Sequence, residues 1–216
     1  MRKFFDEQLE FLHKELIQMG AMCEQIIDLV TISLKTGNKE LVKKIKDLHK
    51  EIQDKKQQSE NICIKLILQQ QPVARDLRTI SATLKIISDM GRIGDQTEDV
   101  AEIFSYIEDC STKEYAIIVE MARATSYMIR ESIIAFVNQE IQKAKEVVYY
   151  DDTVDNYFIQ VRKSLIELIS LHPEQGEYAL DLFMIAKYFE RIGDHGSKIA
   201  RWVLYSVVGQ EGLDDL

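Results

Sequence analysis

Two pairs of carboxylates stand four residues apart in the second half of the chain: Asp151 with Asp155, and Glu190 with Asp194. On a helix, residues at that spacing lie one turn above each other on the same face. Like charges so placed repel by roughly a few tenths of a kcal/mol on an isolated helix. A cation held between two such helices would reverse that cost. The four side chains offer only oxygen, with Asp152 beside them. Such a set suits a hard or borderline ion such as Fe, Mn, Mg or Zn. The competing reading is an acidic, solvated stripe with no metal, because acidic residues ordinarily face water.

The second pair belongs to the run Glu190-Arg191-Ile192-Gly193-Asp194-His195, inside a long helical pattern. Gly193 and Gly196 would weaken a helix unless their small size is needed. Small residues at 186, 193, 196 and 200 trace a seam where another helix can approach closely. Arg92-Ile93-Gly94-Asp95 repeats Arg191-Ile192-Gly193-Asp194 at an offset of 99 residues (194 − 95). Leu84 matches Phe183 in the same register, Ile87 matches Ala186, and Ala101 matches Ala200. So long a period indicates a duplicated domain rather than a short-period solenoid.

Other chemistry-bearing residues are weaker candidates. Glu10-x-x-His13 has the spacing of carboxylate di-iron bundles, but those need the motif twice plus two further glutamates. His195 points about 100° away from Asp194 on a helix, which suggests a surface or outer position. His172, before Pro173, reads as a helix-end residue. No Gly-rich phosphate loop and no nucleophile–base pairing stand out.

The elements that must position these residues are long helices. Only 2 prolines and 9 glycines interrupt 216 residues, and 46% are hydrophobic. Apolar residues at spacings of three and four run from about 4 to 34, including Leu12, Leu16, Met19 and Cys23. A second pattern spans about 40–70, with a charged middle that reads as a solvated face. A third spans about 72–107, and Pro72 suits its first turn. After a boundary at 108–112 the plan repeats over about 113–137, 140–171 and 177–208. Thr36-Gly37-Asn38 and His172-Pro173 are breaks. The expected fold is all-α: two tandem three-helix bundles, over residues 1–110 and 111–216, related by internal duplication.

A formal charge of −9 and a pI near 5.1 argue against nucleic acid as a partner and against nonspecific binding to anionic lipid. Cys23, Cys63 and Cys110 are odd in number and far apart, as expected of reduced, buried thiols. Acidic residues at 6, 7 and 10 interrupt any signal-peptide core. No uninterrupted run of 18 apolar residues occurs. The expected location is the cytoplasm. Phe4, Phe5, Tyr149, Tyr150 and Tyr205 serve either the core or a homodimer interface, and a homodimer is the expected assembly.

The ordered blocks Met19-Gly20-Ala21-Met22-Cys23-Glu24-Gln25, Gln71-Pro72-Val73-Ala74-Arg75-Asp76-Leu77-Arg78, Arg92-Ile93-Gly94-Asp95 and Glu190-Arg191-Ile192-Gly193-Asp194 cover nearly the whole chain. In that order the sequence resembles the PhoU family of phosphate-transport regulatory proteins. The resemblance implies a tandem of three-helix bundles that hold transition-metal ions through E/D-x-x-x-D motifs and are not enzymes. It also implies a negative regulator of high-affinity phosphate uptake. Such a protein couples the ATPase subunit of the phosphate ABC transporter to a membrane sensor histidine kinase, reaching the membrane only through its partners. Carried over by position, it assigns Asp151, Asp155, Glu190 and Asp194 as metal ligands, with Lys198 where the family often has Asn. The first half departs further. His49 and Gln53 stand where an acidic pair is usual, and Gly91 where Glu precedes Arg-Ile-Gly-Asp, which leaves His49, Asp95 and Asp99 as a mixed set. The alternative function is a carboxylate-bundle metalloprotein with a redox or metal-storage role.

Overall fold

A computed structural model describes residues 2–70, 73–108 and 113–209. Among the described residues, six long helices make up the fold: α1 (Arg2–Thr36), α2 (Leu41–Gln70), α3 (Ala74–Tyr106), α4 (Lys113–Asn138), α5 (Ile141–Leu171) and α6 (Gly176–Val208). A single 3-10 turn, Pro173–Gln175, separates α5 from α6. The expected placement of Pro72 and residues 109–112 of the expected boundary, Cys110 among them, lie outside the described residues.

Each helix buries the stripe that its periodicity marks. In α6 that stripe is Leu182, Ile185, Ala186, Phe189, Ile192, Ile199, Ala200 and Val203. In α2 it is Ile45, Leu48, Ile52, Cys63 and Leu66, while Lys43, Lys44, Lys46, Asp47, Lys50 and Glu51 face solvent. By length and composition alone, Glu7–Thr36 is apolar enough to cross a membrane, which a search for an uninterrupted apolar run misses. Its Leu12, Leu16, Met19, Cys23, Ile26, Ile27 and Val30 are packed into the core, while Phe11, Ile17 and Ile32 on the same helix are exposed.

Both short interhelical turns use a left-handed residue. Gly37 closes α1 at φ 69° and Gln139 closes α4 at φ 55°. After α4 the amides of Gln139 and Glu140 donate to the carbonyls of Phe136 and Ala135, at 3.3 and 2.9 Å. That is the paired closure of a Schellman motif. Gly37 and Gln139 occupy equivalent places in the two halves, so the duplication keeps the conformation while changing the residue.

α1, α3, α6 and α4 pack in a ring, each against the next. α2 lies over α1 and α3, and α5 lies over α4 and α6. The two bundles thus face each other through α1 on α4 and α3 on α6, and the buried residues form one continuous core. Close approach is visible at Gly20, where an added Cβ would lie 2.8 Å from Ile133 Cγ1 of α4. Of the aromatic positions left between core and dimer, Phe5 is buried. Tyr150 stacks on Tyr127 at 4.8 Å, and Tyr205 meets Trp202 edge-on. Tyr149 stays exposed, and the side chain of Phe4 lies outside the described ones.

Candidate functional site

The carboxylates of the second bundle lie where α5 meets α6. Gly193 makes that meeting possible: a Cβ there would lie 3.1 Å from Val154 Cγ1 and 3.6 Å from Asp151 Oδ1. Gly196 performs the same service toward α4, where a Cβ would lie 2.9 Å from Ile129 Cδ1. The seam of small residues therefore serves two neighbours, α5 and α4.

Asp151 and Asp155 from α5 face Glu190 and Asp194 from α6, closely enough for the α6 charges to raise the proton affinity of both α5 carboxyls. Burial, then the charges of Asp194 and Asp155, push the Asp151 carboxyl up to about 6, against help from Ser197 and Arg201. Burial, then Glu190, Asp194 and Asp152, push Asp155 up as well, with Lys187 opposing. Lys187 is the local counter-charge: its Nζ donates to Glu190 Oε1 at 2.6 Å and also to Oε2. The same ammonium lies 5.2 Å from the centre of the Phe158 ring. Lys198, where the family often has Asn, is exposed, and Lys187 is the lysine that pairs with these acids. The i−3 spacing from Lys187 to Glu190 was the available signal.

This donor set fits a hard cation in its chemistry, four carboxylates with more negative charge than Lys187 offsets. Among the described residues, no three His, Cys, Asp or Glu side chains close into a ready-made cage as they stand. Asp155 and Asp194 are exposed and Glu190 is held by Lys187, so loading an ion requires these side chains to turn inward.

In the first bundle the structure brings His49 and Asp95 together, with His49 Nε2 2.9 Å from Asp95 Oδ1. The second carboxylate on His49 is Glu98, 2.9 Å from Nδ1. Asp99 is turned to the other bundle, where it accepts a hydrogen bond from the Tyr188 hydroxyl of α6. Burial is the main cause that pushes the Asp99 carboxyl up, and that hydrogen bond opposes it. Gln53 donates from Nε2 to Asp95 Oδ1 at 2.9 Å and to the Gly91 carbonyl at 3.0 Å. Asp99 was the acid expected here; Glu98, one residue before it, takes the place, and Gln53, where an acid is usual, joins as a donor.

The other histidines have plain roles. His195 is neither at the surface nor on the acids. It lies between the bundles, with Nδ1 2.8 Å from Asp89 Oδ1 of α3 and Nε2 3.5 Å from the Gln96 amide. His13 meets Phe136 edge-on while Glu10 pairs with Lys14, so the Glu10-x-x-His13 spacing gathers no site. His172 ends α5 and pairs with Glu174 at 3.3 Å. Burial pushes the Cys23 and Cys63 thiols up to about 12, which makes both inert. A hollow of about 520 Å³ lined by Tyr106, Glu108, Glu174, Glu177 and Asp181 is elsewhere, at the α5–α6 turn.

The family model described as "PhoU domain" matches residues 16–104 and again 118–203. A "Phosphate-specific transport system accessory protein PhoU homolog" of Clostridium acetobutylicum is 32% identical over 214 residues, covering 97% of each chain. The protein of the same description from Aquifex aeolicus is 33% identical over 190 residues, 88% of this chain and 86% of its own. Among solved structures, PhoU from Pseudomonas aeruginosa superposes with a TM-score of 0.91 at 26% identity, covering 95% of this chain and all of its own. The phosphate transport system regulatory protein PhoU from Streptococcus pneumoniae shares the fold, with a TM-score of 0.88 at 21% identity over 95% of this chain and 98% of its own. With both repeats matched and a relative above 30% identity over nearly the full length, this chain belongs to the PhoU family.

Proposed function

We propose that this protein is a cytoplasmic accessory regulator of phosphate uptake, an adaptor rather than an enzyme. It restrains the high-affinity phosphate ABC transporter through its ATPase subunit and reports transport state to a membrane sensor histidine kinase. The observation that carries this reading is the end-to-end match, both repeats included, to proteins named as phosphate-specific transport system accessory proteins. Exposed apolar side chains, including Ile64 and Leu68 on α2, Ile166 on α5 and Leu180 on α6, give such an adaptor surface to dock with. A homodimer is the proposed assembly.

Asp151, Asp155, Glu190 and Asp194 would hold the metal ion, of the Fe, Zn, Mn or Mg class. Bound there, it would neutralise the mutual repulsion of these carboxylates and draw α5 onto α6. Chain residues set the terms: Lys187 must release Glu190, and Ser197 steadies Asp151. The ion's part would be structural, through charge neutralisation.

The test is direct binding. Purified full-length protein is presented to the transporter ATPase subunit and, separately, to the cytoplasmic portion of the sensor kinase, using biolayer interferometry. Saturable binding to at least one is expected. If neither binds, with and without added Mn²⁺, the adaptor reading is wrong.

A further inference from the structure

The two halves carry equivalent seats, and the structure fixes the equivalence without reference to any relative. A Cβ on Gly94 would touch Ile52 Cγ2 at 3.2 Å and His49 Cδ2 at 3.4 Å. A Cβ on Gly193 would touch Val154 Cγ1 at 3.1 Å and Asp151 Oδ1 at 3.6 Å. His49 therefore stands where Asp151 stands, and one turn on, Gln53 stands for Asp155. On the facing helix Asp95 stands for Asp194, Gly91 for Glu190 and Glu98 for Ser197. Four carboxylates in one seat correspond to a single carboxylate, a histidine, an amide and a glycine in the other.

The contacts show what those replacements do. Both ring nitrogens of His49 are engaged by carboxylates, Nε2 by Asp95 and Nδ1 by Glu98, each at 2.9 Å. A histidine that ligates metal gives one nitrogen to the ion and only the other to a carboxylate. Asp95 Oδ1 already accepts from His49 and from Gln53 Nε2, and its Oδ2 lies 3.5 Å from Arg92. The place that a side chain on Gly91 would occupy is filled by Lys56, with Cδ 2.6 Å and Nζ 3.4 Å from the Cβ position. In the α5–α6 seat, Phe158 stands in the position of Lys56, so no lysine enters from α5, and Lys187 on α6 offsets only part of the acidic excess.

We infer that the α2–α3 seat is closed by the chain's own imidazole, amide and ammonium groups, with His49, Gln53 and Lys56 filling the place of an ion, and takes no metal. Any metal ion this protein holds resides between α5 and α6 alone. The inference concerns metal partition and is independent of partner binding, which is read by a different assay.

The test uses the full chain, stripped with chelator and reloaded with Mn²⁺ or Zn²⁺ in parallel. Metal per chain is measured by elemental mass spectrometry after dialysis. His49→Ala keeps the wild-type metal content, and Asp155→Ala/Glu190→Ala loses all of it. In unsubstituted protein, long-range ¹H–¹⁵N spectra show the His49 ring unmoved by saturating Zn²⁺. Metal that survives Asp155→Ala/Glu190→Ala but leaves with His49→Ala would overturn the inference, as would a Zn²⁺-induced shift of the His49 ring nitrogens. A converse variant, His49→Asp/Gln53→Asp/Gly91→Glu/Lys56→Phe in the Asp155→Ala/Glu190→Ala background, gains Mn²⁺. A helical, folded form of it that binds none would show that these residues are not what closes the seat.

Discussion

Neutralising Asp151 should stabilise the metal-free protein at neutral pH and leave it unchanged in acid. Burial and the neighbouring Asp194 and Asp155 raise the Asp151 carboxyl from 3.8 to about 6 in the folded state. A raised folded-state value means that the protonated form favours folding. That contribution is complete below the unfolded value of 3.8 and is lost as pH rises through about 6. Taken at face value the shift corresponds to about 3 kcal/mol, and solvent screening of a half-buried carboxylate reduces it to about 1–2 kcal/mol. Asp151→Asn should therefore raise stability by about 1–2 kcal/mol at about pH 7.5 and by nothing measurable at about pH 3. For a chain of this length that is a melting-temperature gain of about 2–8 °C. Calorimetry of both proteins in chelator across that pH range measures it, and the difference curve removes the titrating groups that do not interact with Asp151. Adding Mn²⁺ near neutral pH should stabilise the unsubstituted chain and not the variant. If Asp151→Asn lowers stability at neutral pH, or gains as much in acid, the repulsive-cluster account fails.

Gly20→Val should cost about 2–3 kcal/mol by overpacking, because the Cβ alone would meet three atoms of Ile133 within 3.1 Å; urea titration reads it. His195→Ala should cost about 2–3 kcal/mol by stranding the Asp89 carboxylate between the bundles. A double-mutant cycle with Asp89→Asn should recover most of that as coupling. Gln139→Gly should stabilise by about 0.5–1 kcal/mol, since a left-handed non-glycine residue is strained there. An unchanged or lowered thermal midpoint would count against that strain.

Much of the fold was legible in the sequence because its causes are local. A stripe such as Leu182–Ile185–Phe189–Ile192 buries wherever a helix packs, and Thr36-Gly37-Asn38 stops a helix by its own geometry. The repeat of Arg-Ile-Gly-Asp exposed the duplication. At the site, the four acids of the second bundle were legible as two i,i+4 pairs, and the structure sets them face to face. Lys187, Glu98 and Lys56 were not, because their roles depend on which rotamer reaches across a helix pair. His195 looked like a surface residue when only its 100° offset from Asp194 was known. It is half-enclosed because α3 covers that side of α6.

The sequence by itself determined six amphipathic helices, their order, the twofold repetition and the identity of the acidic residues, since all of these follow from spacing along one chain. Only the tertiary structure decided that all six helices share one continuous core, with α1, α3, α4 and α6 in its central ring and α2 and α5 packed on the flanks. It also decided that equivalent positions in the two halves became unlike seats. Charge along the chain is fixed by residue type, but whether a charge is balanced depends on what the neighbouring helix places within about 3–4 Å of it. His49 between Asp95 and Glu98, against Asp151 among its fellow carboxylates, is the difference that such neighbours make.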